Sequence, residues 1–166
     1  MNTYSSGGRP IPSPTRPQTM PEYGIPTNNE GMLDWSFIEA RMPAARNYWV
    51  TSVNAHNHPH AMPVWGAWVD GVFYFGGGKE TNTVRNLMKN PHVVIHLESG
   101  DEVIILRGEV QVVTEDLDAD TYERIEQQYE KKYNMRHGLP NFSLTPKSVM
   151  AWKEYPVSCT KWEFEK

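Results

Sequence analysis

The sequence contains a single cysteine among its 166 residues, and this scarcity excludes an internal disulfide framework. It has no apolar run that approaches the roughly 20 residues needed for a membrane-spanning helix. The N-terminal segment also lacks the continuous apolar stretch of a secretory signal. Together these absences predict a cytoplasmic protein with no membrane partner.

Positive charge is scarce as well. The 16 Lys and Arg residues are outnumbered by 20 Asp and Glu residues, which gives a formal net charge of −4. Proteins that bind nucleic acids by neutralising phosphates are normally basic overall, so nucleic acid is not an expected partner. This balance is still compatible with a local basic site for a phosphorylated small molecule.

Several familiar catalytic and nucleotide-binding motifs are missing. The sequence has no G-x-S-x-G nucleophile elbow, no P-loop and no G-x-G-x-x-G fingerprint. Cys159 has no histidine near it in the sequence and is not assigned as a nucleophile. We therefore assign no catalytic side chain from motifs.

Proline is concentrated near the N-terminus, where six of the 13 prolines fall between residues 10 and 26. Proline fixes its own φ and favours extended neighbours, so residues 1–31 are predicted to form an extended or disordered arm. The arm is either a flexible tail or a segment that crosses to a partner subunit, with Tyr23 and Ile25 as anchors. The folded domain is predicted to span residues 32–166.

Alternating aromatic and β-branched residues dominate that domain and predict strands joined by compact turns. Asp34 is expected to cap a short helix that ends at Pro43. Two further helices are predicted at residues 83–89 and 116–133, the second one amphipathic. The predicted strands cover residues 48–53, 61–69, 72–75, 92–98, 102–113, 148–152 and 158–164. Short strands with few helices favour a closed barrel over a doubly wound sheet.

Histidines cluster at positions 56, 58 and 60, in a segment that also contains Asn57 and Pro59. Histidine is a common metal ligand, but the asparagine and proline mark a turn in which the three side chains would diverge. No Cys, Asp or Glu of recognised spacing completes a metal shell. A solvated hairpin turn is the favoured interpretation, and no metal site is predicted.

Three glycines at positions 76–78 follow a predicted strand and precede a short predicted helix. Their backbone N–H groups, together with Lys79, Thr81, Asn82 and Thr83, could cradle a phosphate. Simple capping of the helix by Thr81 or Asn82 explains the same residues equally well. Both interpretations stay open.

The order and spacing of these segments resemble the pyridoxamine 5′-phosphate oxidase-like superfamily of FMN-binding split barrels. Within it, the chain is most similar to the branch of flavin- and deazaflavin-dependent reductases. The resembling segments are residues 48–53, 59–68, 70–75, 83–87 followed by Asn90-Pro91, 151–152 and 160–164. The resemblance implies a mainly β fold, a six-stranded antiparallel split β-barrel with a few flanking helices.

The resemblance also implies a tight homodimer with two clefts between subunits, each holding FMN or coenzyme F-420, a deazaflavin. By position, one strand runs beside the cofactor ring, the next lies near the ribityl chain, and the segment 79–85 lies near the phosphate. The C-terminal Trp162 is a plausible ring or substrate contact. The cofactor-binding residues implied in this way are Met62, Pro63, Val64, Trp65, Gly66, Ala67, Tyr74, Phe75, Lys79, Thr81, Asn82, Thr83, Arg85 and Trp162.

The chain departs from the family pattern at the phosphate. Thr81, Asn82 and Thr83 stand where many members carry Ser-Arg-Lys, and the strand 62–67 lacks the arginine and lysine of the oxidase itself. Lys79 and Arg85 would then have to supply the charge. The expected function is an oxidoreductase that reduces a small unsaturated or aromatic substrate. The alternative is a non-catalytic carrier of flavin or haem.

Overall fold

A curled antiparallel sheet forms the body of the protein in the computed structural model, which describes residues 3–164. The strands are β1 (Thr3–Tyr4), β2 (Pro10–Ile11), β3 (Tyr48–Val53), β4 (Pro59–Val64), β5 (Gly66–Val69), β6 (Val72–Phe75), β7 (His92–His96), β8 (Val103–Val112), β9 (Phe142–Leu144), β10 (Ser148–Trp152) and β11 (Thr160–Glu163). The helices are α1 (Ser36–Ala44), α2 (Asn82–Leu87) and α3 (Ala119–Tyr133), with a 3-10 turn at Pro21–Tyr23. Within the described residues, none of these helices has the length and apolar character needed to cross a membrane.

The main sheet has nine strands and follows the order β4-β3-β7-β8-β9-β6-β5, with β10 and β11 branching from β8. The first part of β8 pairs with β10 and its last residues pair with β9, so β8 belongs to both halves of the sheet. At the bend stands Gly108, where an added Cβ would lie 2.9 Å from Leu144. β4 and β5 are consecutive in the chain, yet no described ladder joins them. The barrel is therefore open along β4.

The core fills the inside of this curled sheet. β3 alternates buried and half-buried residues, and its register places Tyr48 and Val50 on the inner face with Leu106 and Val149 of neighbouring strands. Trp162 of β11 closes one end, packing edge-on against Trp35 with the ring centroids 5.5 Å apart. Alternation on the strands thus separates an apolar interior from a half-exposed outer face.

Helix α3 covers the strand at the far end of the sheet. Asp118 caps its first turn, and Ile125 and Tyr129 pack against β5. The side-chain amide of Gln128 makes the two hydrogen bonds that the backbone of a neighbouring strand would make. Its oxygen accepts from the N–H of Trp68 at 3.0 Å, and its nitrogen donates to the Trp68 carbonyl at 2.6 Å. The free edge of β5 is therefore satisfied by side chains of a helix.

The N-terminal arm lies along the barrel of its own chain. Thr15 forms an isolated antiparallel bridge with Lys161 of β11, with backbone N–H groups donating in both directions at 2.8 Å. The Arg16 guanidinium donates to four backbone carbonyls, those of Asn28, Glu30, Val157 and Cys159. These bonds hold an extended segment that has little regular secondary structure of its own.

The split-barrel class predicted from the sequence is confirmed, with more strands than the six expected. The predicted strand 61–69 is broken at Trp65 into β4 and β5, because side chains of α3 bind the polar groups of Gly66. The three-residue strand β9 is too short to produce a periodic signal and escapes prediction. Helix α1 includes Pro43, and no side chain caps its first residue.

Candidate functional site

A cleft of about 450 Å³ opens where the barrel is split, between β4, the end of β6 and α2. Helix α2 packs on β3 and β4 and forms the third wall. The residues that line the cleft are His60, Met62, Val64, Phe75, Gly76, Gly77, Glu80, Thr81, Asn82, Thr83, Val84 and Arg85. The cleft volume lies within the roughly 300–1,000 Å³ typical of small-molecule sites.

One end of the cleft is apolar. In the β3–β4 ladder Val50 lies opposite Met62 and Tyr48 opposite Val64, so both β4 side chains share the inner face of the sheet. Because β4 is the last strand, this inner face is left partly open, and Met62 is 46% exposed. Phe75 and Val84 complete an apolar surface of the kind that accepts a flat ring.

The other end of the cleft is polar. The Thr81 hydroxyl accepts a hydrogen bond from the N–H of Val84 at 3.4 Å, so the capping role expected for this residue is present. The Arg85 guanidinium donates to Asn82 Oδ1 at 2.9 Å and lines the cleft beside it. Glu80 is the single acidic residue among those that line the cleft. Arg85 is the cation placed to meet an anionic group there.

The glycine segment before α2 is only partly free to bind a ligand. The N–H of Gly77 donates to Asn141 Oδ1 at 2.6 Å, and an added Cβ at Gly76 would lie 2.7 Å from the same atom. These glycines thus allow close packing against the loop that contains Asn141. At Gly78 an added Cβ would meet nothing nearer than Thr81 Cγ2 at 3.8 Å.

The histidine cluster lies beside the cleft. His60 lines the cleft itself, and its Nε2 is buried without a hydrogen-bond partner among the described residues. His56 and His58 line a second pocket of about 440 Å³ that shares His60 with the cleft. Within residues 3–164, no group of three or more His, Cys, Asp or Glu side chains is arranged to hold a metal ion.

The structure brings half of the predicted site residues together. Those that line the cleft are Met62, Val64, Phe75, Thr81, Asn82, Thr83 and Arg85. Pro63 lies on the opposite face of β4, opposite Trp49 in the ladder. Lys79 does not line the cleft; it lines an adjoining apolar groove of about 670 Å³ that shares Val84 and Arg85 with the cleft.

The remaining predicted residues lie away from the cleft. Trp65 stacks on Tyr133 with ring centroids 4.3 Å apart, and Gly66, Ala67 and Tyr74 lie in the region covered by α3. Burial, followed by the nearby Asp118 and Asp70, raises the pKa of Tyr74 and keeps its phenol neutral. Trp162 is 1% exposed and is enclosed in the core of its own chain.

Sequence reasoning left out His60, Glu80 and Val84, which also line the cleft. The signal for His60 is present in the sequence, because it stands two residues before Met62 and shares a strand face with it. Glu80 and Val84 fall within the segment 79–85 that the resemblance places near the phosphate, but neither is named among the expected cofactor contacts.

Comparisons with known proteins extend these observations. Residues 37–154 match the family model described as pyridoxamine 5′-phosphate oxidase. No curated protein sequence matches the chain.

Three solved structures illustrate the structural likeness. Conserved hypothetical protein Rv2991 of Mycobacterium tuberculosis aligns with a TM-score of 0.62 at 15% identity, covering 75% of this chain and 88% of that one. A FAD-binding protein of Mesorhizobium loti aligns with a TM-score of 0.58 at 13% identity, covering 80% and 96%. A heme binding protein of Mycobacterium smegmatis aligns with a TM-score of 0.58 at 17% identity, covering 75% and 57%. At these identities the likeness is one of fold.

Proposed function

The chain belongs to the pyridoxamine 5′-phosphate oxidase family, and we propose that it is an oxidoreductase that holds FMN or the deazaflavin coenzyme F-420 in the cleft between β4, β6 and α2. Its proposed substrate is a small unsaturated or aromatic molecule. The observation that carries the proposal is the polarity of the cleft, which is apolar at one end and has Arg85 and hydroxyl groups at the other. A flavin mononucleotide has the same distribution, with a flat ring, a hydroxylated chain and a phosphate.

The residues that would hold this cofactor follow from that distribution. Met62, Val64 and Phe75 would pack against the ring, because their side chains form the apolar wall. Thr81 and Asn82 would bind hydroxyl groups, and Arg85 would bind the phosphate. His60 also lines the cleft, and its Nε2 has no hydrogen-bond partner within residues 3–164.

A bound flavin supplies the two-electron chemistry, so the protein need not contribute a reacting side chain. What this chain contributes is a water-poor surface for the ring and a fixed anchor for the anionic end. The split of the barrel leaves the Met62 side of the cleft open, which is where a substrate would approach.

We further propose that the protein is a homodimer that uses the outer face of the sheet. This face carries a continuous row across four strands, in which Trp49 pairs with His96, His96 with Ile105 and Ile105 with Met150. All four side chains are half-buried in the single chain. A second copy packed on this row would also contact the outer face of β4 at Pro63, which lies opposite Trp49.

Titration of the purified protein with FMN and with coenzyme F-420, followed by fluorescence, tests the proposed cofactor. We expect one of the two to bind with a stoichiometry of one per chain. A Met62→Trp variant fills the apolar end of the cleft and should weaken binding by about tenfold or more. The matched control is Met88→Trp at the C-terminal cap of α2, an exposed methionine outside the cleft, which should leave the affinity unchanged. Failure of both cofactors to bind, or equal effects of the two variants, would contradict the proposal.

A second candidate function is a carrier of haem, and His60 is the observation that favours it. His60 lines the cleft, and its Nε2 is buried and has no hydrogen-bond partner within residues 3–164 that iron ligation would have to displace. Adding hemin should then produce a Soret band that is lost in a His60→Ala variant. A band of the same intensity in both proteins would reject this function.

A further inference from the structure

The second pocket, which we call the histidine pocket, lies between the β3–β4 turn and α2. It is lined by Asn54, Ala55, His56, His58, Pro59, His60, Asn82, Arg85, Asn86 and Lys89. His60, Asn82 and Arg85 line the cleft as well, so the two cavities adjoin at these three residues. Five lining side chains are basic and none is acidic, in a chain whose net charge is −4.

Hydrogen bonds within the protein order the residues that line the histidine pocket. Asn54 Oδ1 accepts hydrogen bonds from the N–H groups of His56 at 2.8 Å and His58 at 3.0 Å, which orders the turn. Asn86 Nδ2 donates to Ser52 Oγ at 3.2 Å and ties α2 to β3. A ligand therefore meets a preformed site, with little ordering left to do on binding.

The basic groups of the pocket are not neutralised by the protein. In the part of the chain that the structure describes, neither Arg85 nor Lys89 takes part in an ion pair. Arg85 has only the neutral Asn82 oxygen as a side-chain acceptor. His60 lines both cavities, and its Nε2 is buried without a hydrogen-bond partner among the described residues. Buried polar atoms without partners are rare in proteins, and a bound ligand is one explanation for them.

We propose that the histidine pocket binds a second phosphate group on the ligand whose first phosphate lies at Arg85 in the cleft. This inference rests on the proposed function, since it extends the same site. The matching chemistry is a diphosphate, carried by a dinucleotide flavin such as FAD or present as free inorganic diphosphate. Arg85 lies between the two cavities and would contact both anionic groups, while Lys89, His56 and His58 would contact only the second.

The alternative occupant of a histidine cluster is a metal cation. Lys89 and Arg85 line the same pocket and would repel a cation. The described residues also contain no group of ligands arranged to hold a metal ion. Both observations favour an anion.

The test compares FMN with FAD, using protein fluorescence at fixed ionic strength. We expect FAD to bind the unaltered protein more tightly than FMN by about tenfold or more. Lys89→Gln and the double variant His56→Asn/His58→Asn should each weaken FAD binding by about fivefold or more and change FMN binding by less than about twofold. The matched control for Lys89→Gln is Lys131→Gln, an exposed helical lysine on α3 that lines neither cavity. Thermal melting of each variant verifies folding.

Inorganic diphosphate, titrated alone by calorimetry, provides a readout that does not need a flavin. It should bind the unaltered protein and bind the double histidine variant at least about fivefold more weakly. If FMN binds but FAD binds no tighter, and the variants alter neither FAD nor diphosphate binding, the inference is overturned while the proposed function stands. If no flavin or deazaflavin binds, the proposed function fails, and the diphosphate titration then decides whether the pocket recognises anions.

Discussion

Arg85 is the residue at which three cavities converge, because it lines the cleft, the histidine pocket and the apolar groove beyond α2. Lys79, the other cation expected near the phosphate, lines only the groove. A cofactor phosphate in the cleft can therefore reach Arg85 directly, whereas Lys79 belongs to the neighbouring surface. Both cations line the groove, but only Arg85 also lines the cleft, which separates their expected roles.

This separation gives a prediction for the two cations. Arg85→Ala should weaken binding of the cofactor by ~1.5–3 kcal/mol, the usual contribution of a charge-assisted hydrogen bond, or roughly 10- to 150-fold. Lys79→Ala should change the affinity by less than about threefold, and the double variant should resemble Arg85→Ala. Fluorescence titration measures all three. A larger loss in Lys79→Ala than in Arg85→Ala would move the phosphate to the groove.

Lys132 is a half-buried cation on α3, outside the cleft. Its Nζ donates to the Tyr48 hydroxyl at 3.0 Å and to the Gly66 carbonyl at 2.5 Å. Burial lowers the pKa of Lys132 from 10.5 to about 8. Between these two pH values the unfolded chain therefore holds a proton that the folded protein has released. The free energy of unfolding must rise with pH across that window.

We therefore expect the pH dependence of stability to change in a Lys132→Met variant. From pH 8 to pH 10.5 the unaltered protein should gain about 1–2 kcal/mol relative to the variant, after allowance for solvent screening at this partly exposed site. Urea denaturation of both proteins at several pH values measures the difference. The two free energies changing in parallel would show that the Lys132 ammonium is not destabilised by folding.

At the scale of elements, the break between β4 and β5 ends the strand that contributes His60, Met62 and Val64 to the cleft. Gly66 follows the break and approaches β6 closely, so an added Cβ would lie 2.3 Å from Phe73 Cζ. Its N–H donates to the Tyr133 hydroxyl at 3.1 Å, which fixes the strand against α3. Only glycine fits this contact between β5, β6 and α3.

Gly66→Ala should accordingly lower the free energy of unfolding by ~1–3 kcal/mol, the usual effect of overpacking a core. Gly100→Ala is the matched control, because an added Cβ there has no atom within 4 Å, and it should change stability by less than about 0.5 kcal/mol. The double variant Gly66→Ala/Phe73→Leu should lose less free energy of unfolding than the two single variants lose together. Denaturant unfolding of the four proteins tests this, and strict additivity would argue against the Phe73 contact.

Strands with regular alternation could be predicted from the sequence. Strands whose limits depend on contacts with distant segments of the chain could not. β3, β7, β8 and β10 each show the period of two that a half-buried strand produces. The break at Trp65 depends on side chains of α3 that lie more than 60 residues further along the chain. β9 has only three residues and is defined by the two strands that flank it.

The candidate site follows the same division. Met62 and Val64 could be placed because the resemblance assigns their strand to the cofactor ring, and alternation puts these two residues on one face of it. Trp162 could not, because alternation in β11 shows which residues share a face but not which face is inside. The structure places that face in the core, where Trp162 contacts Trp35 instead of the cleft. Cofactor contact remains a proposal for the residues that do line the cleft.

For the whole molecule, the distribution of tryptophans bears on assembly. Trp68 and Trp162 are buried within the chain. Trp49 and Trp152 are half-buried, and their side chains lie on the outer face of the sheet. We predict a dimer that buries more than about 2,000 Å² in total through this face. Ile105→Glu places a charge at the centre of the row that contains Trp49, His96 and Met150, and should produce monomers. Light scattering at micromolar concentration measures both proteins, and a monomeric unaltered protein would refute the dimer.

The branched sheet has three terminal strands, β4, β5 and β11, and their free edges bear on the solubility of the protein. An uncovered strand edge presents free N–H and C=O groups that can recruit strands from other chains into aggregates. Here β4 carries Pro59 and Pro63, which have no N–H to offer, β5 is covered by Gln128 of α3, and β11 is bridged by Thr15 of the N-terminal arm. The proposed face-to-face dimer would therefore form without adding strand to strand. We expect its association to stop at a closed particle instead of growing into a fibre.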